Sequence, residues 1–177
     1  MKKIIPVILL FISFSSCEKD DICSADTPTT PQVVIEFFDN VNRTVPKTVK
    51  NLKIIGDGLS EGVILNTSGT ITSQYLADGV SKIKIPLNSQ IDITKFTFIY
   101  DFGNANSALV NEDLVEFDYS RNNVFVSRAC GYKTLFTILG TPIVTDAVNP
   151  TLKWIQAISV KQPNINDENE THIKIYF

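Results

Sequence analysis

Short segments in which every second residue is apolar recur along the chain, and this period of two constrains the fold more than any other feature. The clearest segments are Val33–Phe38, Lys82–Ile85, Phe96–Tyr100 and Asp113–Tyr119. Successive side chains of an extended chain point to opposite faces, so a period of two is typical of strands that bury one face. No segment shows a sustained helical stripe with a capping residue, and Val, Ile and Thr, which suit a pleated sheet, are abundant. The pattern predicts an all-β protein.

The predicted strands number about nine or ten, and Gly, Asn, Asp and Pro separate them. This spacing favours an antiparallel β-sandwich, immunoglobulin-like in outline, because two sheets can then bury their inner faces against each other. A partly open β-barrel is the alternative. Ser120–Asn123 is predicted to be a hairpin turn, and Trp154, the sole tryptophan, a core residue. The remaining predicted strands are Asn51–Gly56, Gly69–Ser73, Asn123–Ala129, Lys133–Ile138, Trp154–Lys161 and Thr171–Tyr176.

The N-terminus has the features of an export signal. Lys2 and Lys3 precede an apolar stretch of about eleven residues, Ile4–Phe14, where a membrane-spanning helix needs about 20. The stretch ends in Phe14-Ser15-Ser16-Cys17, which resembles the lipobox of bacterial lipoproteins. We therefore expect residues 1–16 to be a signal peptide and Cys17 to be acylated. An ordinary secretory signal with a free Cys17 is the alternative.

Four charged residues follow Cys17. The sequence Glu18-Lys19-Asp20-Asp21 resembles the signal that directs lipoproteins of Bacteroidota to the outer face of the outer membrane. We expect a lipid-anchored outer-membrane protein exposed at the surface, with a periplasm-facing position as the alternative. Residues 24–31 include Thr27-Pro28-Thr29-Thr30-Pro31, and these prolines indicate a stiff extended linker. Residues 17–31 are accordingly predicted to be a tether, and residues 32–177 a β-sandwich domain.

The count of three cysteines is odd, but it becomes even once Cys17 is assigned to lipid. Cys23 and Cys130 then remain in a compartment where disulfides form, and we predict that they are bonded. Two alternatives stay open. Cys130 could be a nucleophile activated by His172, although this sole histidine lies in the last predicted strand. The two thiols could instead belong to a metal site, although such a site needs more soft ligands than one pair supplies.

Several segments, taken in order along the chain, are similar to a family of small Bacteroidota lipoproteins classed as a domain of unknown function. They are Cys17–Cys23 with the sequence CEKDDIC, Val126–Gly131 with VSRACG, Trp154-Ile155, and His172–Ile175 with HIKI. The resemblance runs over nearly the whole chain. It implies lipidation at Cys17, pairing of Cys23 with Cys130 and an envelope location, and it implies no activity, substrate or catalytic residue.

The sequence contains no established catalytic motif: no nucleophile elbow, no His-Glu-x-x-His, no phosphate-binding glycine loop and no Cys-x-x-Cys. His172 alternates with Lys174 and Tyr176, so we expect it on the exposed face of the last strand. Arg128 continues the face of Val124 and Val126 toward the sheet interior or its end. There it would form a structural ion pair or, as the alternative, an anion-binding site.

Carboxylates form two groups in the sequence. Asp113, Glu116 and Asp118 lie on one predicted strand, and Asp167, Glu168 and Glu170 lie in the Asn164–Glu170 loop. The loop is predicted to be a solvated hairpin, with a calcium-like cation site as the alternative. We expect no cofactor and no metal. The chain has 16 Lys and Arg against 19 Asp and Glu, so it lacks the basic surface that nucleic acid requires.

These observations lead to a functional hypothesis. We expect a non-enzymatic, lipid-anchored binding or structural module of the envelope, with a protein or glycan partner. The first alternative is an envelope hydrolase that uses carboxylates such as Asp101, Asp113 or Glu116. The second is an accessory subunit of an outer-membrane complex.

Overall fold

A computed structural model describes residues 22–146 and 153–177. In these residues the chain forms two β-sheets of four and seven strands that pack as an all-β sandwich, which confirms the predicted fold class. Helical structure in the described ranges is limited to the single 3₁₀ turns Ser73–Tyr75 and Ser107–Leu109. No helix within those ranges is long and apolar enough to cross a membrane.

The described residues form eleven strands. They are β1 (Val33–Phe38), β2 (Leu52–Gly56), β3 (Leu76–Ala77), β4 (Lys82–Ile85), β5 (Ile93–Tyr100), β6 (Asn111–Ser127), β7 (Gly131–Ile138), β8 (Ile143–Asp146), β9 (Ala157–Val160), β10 (Asn164–Ile165) and β11 (Ile173–Tyr176).

The four-stranded sheet has the order β4-β1-β11-β9. Its central pair, β1 and β11, is parallel, with Ile35 opposite Ile173, whereas β1 with β4 and β11 with β9 are antiparallel. The first and last strands therefore lie side by side in the sheet. The seven-stranded sheet has the order β10-β7-β6-β5-β2-β3, and β8 pairs with β6.

The described chain divides into two compact units. One, which we call the disulfide unit, comprises residues 22–29 and 123–133. The other, the sandwich unit, comprises residues 30–122, 134–146 and 153–177. Strands β6 and β7 contribute residues to both units.

The core of the sandwich unit is built from the inward residues of both sheets, such as Ile35, Phe98 and Phe117, which are fully buried. Trp154 is 9% exposed and belongs to this core, as predicted. Its indole packs edge-on against Phe177, and its Nε1 donates a hydrogen bond of 3.1 Å to the Phe98 carbonyl. That bond satisfies the polar end of an otherwise apolar ring.

Two of the predicted local structures are wrong. Ser120–Asn123 is not a turn, because β6 continues through it to Ser127. The Arg121 side chain donates hydrogen bonds to the Asp92 carboxylate and to the Ser89 carbonyl. Gly69–Ser73 is not a strand. The Ser73 hydroxyl accepts a hydrogen bond from the backbone N–H of Thr70 at 2.8 Å, a local bond that favours a turn over a ladder.

Candidate functional site

An aliphatic groove of about 380 Å³ opens on the sandwich unit, where the end of β2 meets the start of β5 and the segment after β4. Three exposed side chains border it: Leu59, Ile91 and Ile93, which are 66%, 54% and 41% exposed. Phe96 lies in its wall but is only 3% exposed. The other lining residues include Val63, Pro86, Leu87, Thr94 and Lys95. The groove thus offers aliphatic surface with little exposed aromatic area.

A closed set of hydrogen bonds holds the segment that forms one rim of this groove. The Tyr119 hydroxyl donates to the Asn88 carbonyl at 2.8 Å, and the backbone N–H of Asn88 donates to the Thr94 hydroxyl at 2.9 Å. The Thr94 and Tyr119 oxygens lie 2.6 Å apart. Because the Tyr119 proton is used toward Asn88, Thr94 donates to Tyr119. Burial raises the pKa of Tyr119, so the phenol keeps the proton that this set requires.

The same rim is attached to β6 a second time. Arg121 Nε donates to the Asp92 carboxylate at 2.6 Å, and its Nη1 donates to the Ser89 carbonyl at 2.8 Å. Tyr119 and Arg121 follow the period of two on β6, so both contact the same segment. The groove rim is therefore held rigid by two neighbouring side chains. Sequence reasoning missed this site, since its parts lie on four separate segments.

The disulfide unit contains the predicted pair. Cys23 and Cys130 are bonded, with their Cα atoms 4.9 Å apart and a sequence separation of 107. Cys130 is therefore not a free nucleophile, and neither thiol is available to a metal. The turn that joins β6 to β7 ends at Gly131, whose φ of +70° lies in the left-handed region that glycine favours. That glycine is the sequence signal that could have located the turn. Cys17 lies outside the described residues.

Arg128 is not placed as expected. It lies in the turn after β6 ends at Ser127, so the strand alternation no longer applies to it. Its side chain is exposed, and in the described ranges it forms no ion pair. It lines a cavity of about 440 Å³ in the disulfide unit together with Ile22, Ser24, Thr27 and Cys130. The structural ion pair of Arg128 therefore stays a prediction.

The carboxylates of the hydrolase alternative do not converge. Asp113 is fully buried on the inner face of β6, where it accepts a hydrogen bond of 2.7 Å from the Ile155 N–H. Glu116 lies on the opposite face and pairs with Lys95 at 2.8 Å. Neither lines the groove or the cavity of the disulfide unit. The period of two explains this result, since residues three apart on a strand point to opposite faces.

Asp101 follows β5 with a φ of +55°. Its carboxylate accepts hydrogen bonds from Lys50 at 2.9 Å and from Asn104 at 2.7 Å. These two bonds lower the pKa of Asp101. The residue therefore carries a stable charge in a local turn, and it too lies outside both cavities.

His172 is 1% exposed, so the prediction of a surface histidine is wrong. Its Nδ1 accepts a hydrogen bond from the Val34 N–H at 2.9 Å. Burial lowers the pKa of His172, although the nearby carboxylates of Asp167, Glu168 and Glu170 act in the other direction. The imidazole is thus a neutral structural group.

Most residues of the Asn164–Glu170 segment are exposed, as predicted for a solvated hairpin, but the segment is attached to neighbouring strands at two points. Asn164 and Ile165 form β10 against β7, and Ile165 is fully buried. Glu168 pairs with Lys84 at 2.7 Å and accepts a hydrogen bond from the Gln32 N–H at 2.9 Å. Among the residues that the structure describes, no group of three His, Cys, Asp or Glu side chains is arranged to hold a metal ion.

The fold and these sites define a disulfide-bonded all-β sandwich protein with an aliphatic surface groove. Residues 51–177 match the model of a family of unknown function, DUF6452, and the chain belongs to that family. The matched range contains the whole groove and Cys130, whereas Cys23 precedes it. No curated protein and no solved structure matches the chain. The immunoglobulin-like outline therefore stays a prediction.

Proposed function

We propose that this protein is a non-enzymatic, lipid-anchored binding module of the cell envelope, held at the outer membrane through Cys17, and that the aliphatic groove is its binding surface. One observation carries the binding role: Leu59, Ile91 and Ile93 expose aliphatic side chains around one concave site. A protein without a partner would be more stable with these side chains buried in its own core. Exposed apolar surface of this kind is therefore typical of interaction sites.

The groove favours an apolar peptide segment of a protein partner over a glycan. Sugar rings bind well to exposed aromatic faces, which combine apolar area with a flat surface. The aromatic ring in this groove belongs to Phe96, which is almost fully buried. Aliphatic side chains of a partner would instead pack against Ile91 and Ile93. The rigid rim lowers the conformational entropy that binding would cost.

The location at the outer membrane rests on the N-terminal sequence. A short apolar stretch ends at Cys17, and the charged Glu18–Asp21 segment follows. Acylation of one cysteine with several chains exceeds the two signals that stable membrane attachment needs. The distribution of Asp101, Asp113 and Glu116 gives no support to the hydrolase alternative, since these carboxylates line neither described cavity.

Site-specific photo-crosslinking in living cells tests the groove. A benzoylphenylalanine at position 59 reports on contacts there, and two variants are compared: Ile91→Asp, which places a charge in the groove, and Ile71→Asp as a matched control. Ile71 is 84% exposed and lies outside the groove. We expect a discrete, protease-sensitive adduct that Ile91→Asp weakens about tenfold and Ile71→Asp leaves unchanged.

Equal adducts in both variants, or an adduct that resists proteases, would overturn the assignment of the groove to a peptide. The anchor is tested separately by mass spectrometry of the mature N-terminus. We expect the acyl mass on Cys17, and its loss together with loss of membrane fractionation in Cys17→Ser.

A further inference from the structure

The disulfide unit exposes an aromatic pair that the binding groove does not use. Phe125 on β6 and Tyr132 on β7 stack edge to face with ring centroids 5.4 Å apart. Their side chains are nevertheless 56% and 70% exposed. Two large aromatic residues that pack on each other and remain open to solvent form an apolar patch with a polar phenol at its edge.

The same unit exposes two further residues whose chemistry suits a membrane surface. Ile22 is 77% exposed, and Arg128 presents an exposed guanidinium in the turn between the two strands. Apolar side chains, a tyrosine and an arginine are the combination found where proteins meet the interface of a bilayer. Aromatic rings lie there at the level of the headgroups, and arginine binds phosphate oxygens.

The disulfide determines how far this patch can lie from the lipid. Cys23 is bonded to Cys130, and Cys17 precedes Cys23 by six residues. Six extended residues span at most about 20 Å. The turn at Cys130 therefore cannot move more than about that distance from an acyl group on Cys17. A tether this short keeps the patch at high effective concentration next to the membrane.

We propose that Phe125 and Tyr132 dock into the interface of the membrane that carries the Cys17 lipid. The hairpin end thereby serves as a second membrane contact that orients the disulfide unit at the bilayer. This inference rests on the proposed acylation of Cys17. The occupant of the patch is the bilayer surface, with Phe125 and Ile22 at the acyl boundary, the Tyr132 hydroxyl among headgroups and Arg128 on lipid phosphate.

Quenching by brominated lipid tests the proposal. The acylated full mature protein, with Phe125→Trp, is reconstituted into vesicles of phosphatidylcholine and phosphatidylglycerol with or without bromine on the acyl chains. We expect bromine to reduce the emission of the added tryptophan by about half, because interfacial rings lie close to the acyl chains. The unmodified protein, whose buried Trp154 emits in both samples, supplies the baseline.

A control variant and a disulfide variant make the test specific. Val124→Trp adds a tryptophan in the same unit, on the face of β6 opposite Phe125, and we expect its quenching to be much weaker. In Cys23→Ser/Cys130→Ser we expect the protein to stay on vesicles through its lipid while Phe125→Trp loses most of its quenching. Circular dichroism checks that each variant is folded. Quenching of Val124→Trp equal to that of Phe125→Trp, or no quenching of Phe125→Trp, overturns the proposal.

Failure of the anchor and failure of the docking give different results. If mass spectrometry finds no acyl group on Cys17, the proposed lipid anchor is overturned. Docking is then tested with the chain attached to nickel-chelating lipid through a histidine tag placed before residue 18. Quenching of Phe125→Trp in that arm still supports docking, and its absence still overturns it. A dimer in solution that Phe125→Ser abolishes, without quenching on vesicles, would assign the patch to a second copy and overturn membrane docking.

Discussion

The Nδ1 atom of His172 accepts a hydrogen bond of 2.9 Å from the backbone N–H of Val34, 138 residues earlier in the chain. The backbone N–H of His172 in turn donates a hydrogen bond of 3.0 Å to the Val34 carbonyl. Val34 belongs to β1 and His172 immediately precedes β11, so this residue pair joins the two central strands of the four-stranded sheet at one end. An Nδ1 atom that accepts carries no proton, and the imidazole must therefore be neutral in the folded protein.

We predict that this bond makes stability depend on pH. Burial lowers the pKa of His172 below its usual 6.5. At a pH between the folded pKa and the unfolded pKa of His172, the unfolded chain binds a proton that the folded chain does not. The stability that the neutral imidazole contributes is therefore complete above about pH 6.5 and is lost as the pH falls below that value. Urea unfolding at about pH 7.5 and pH 5.5 measures the loss.

His172→Asn is the matched variant, because an amide oxygen can accept from the Val34 N–H but does not titrate. We expect its stability to change less than that of the unmodified protein over this range. An identical pH dependence in both proteins would contradict the role given to His172.

Loss of the disulfide should destabilise the folded protein. The bond closes a loop of about a hundred residues, so Cys23→Ser/Cys130→Ser should lower the free energy of unfolding by about 2–5 kcal/mol. Urea unfolding without reductant measures this difference. The unmodified protein in reductant should match the double variant, and a stability independent of reductant would show that the bond contributes nothing.

The Tyr119 hydroxyl should be required for a rigid groove rim. Tyr119→Phe leaves the Asn88 carbonyl and the Thr94 hydroxyl without this partner, and it should cost about 1–3 kcal/mol of stability. Amide hydrogen exchange should become faster in the Pro86–Ile93 segment. Tyr132→Phe removes a hydroxyl from a side chain that is 70% exposed and should change stability by less than about 0.5 kcal/mol. Equal effects of the two variants would rule out the role of Tyr119.

The Asp113 carboxylate should act as a structural acceptor. Asp113→Ala leaves the buried Ile155 N–H without the bond it makes at 2.7 Å, at a cost of about 1–3 kcal/mol. Asp113→Asn keeps an acceptor oxygen and should cost less. The exposed Asp118 on the same strand provides the control, since Asp118→Ala should be nearly neutral. A hydrolytic activity that Asp113→Asn abolishes without loss of stability would revive the enzyme alternative.

The period of two was sufficient to predict most strands of this protein. In β6 the residues Val115, Phe117 and Tyr119 are all fully buried, while Asp118 between them is exposed. Side-chain direction in a strand follows from backbone geometry alone, so the alternation can be read before any partner is known. The Cys23–Cys130 bond could also be predicted, because the assignment of Cys17 to lipid leaves one pair of cysteines.

The same period could not predict what covers each face. Val34 alternates with the core residues Val33 and Ile35, yet it is 2% exposed. His172 lies on the face that the sequence suggested was open, and it is buried as well. Burial of a face depends on segments distant in sequence, and alternation within one strand contains no information about them.

Sequence alone therefore determined two kinds of element in this protein: the strands, from the two-residue period, and the disulfide, from the two cysteines that remain after Cys17. Tertiary structure decided which polar groups became buried acceptors, as for Asp113 and His172. It also decided where apolar side chains stayed exposed, as for Ile91 and Phe125. The physical reason is the separation in sequence over which each effect acts. Backbone geometry acts between neighbouring residues. Burial and hydrogen bonding depend on contacts between residues a hundred or more positions apart, such as Val34 and His172.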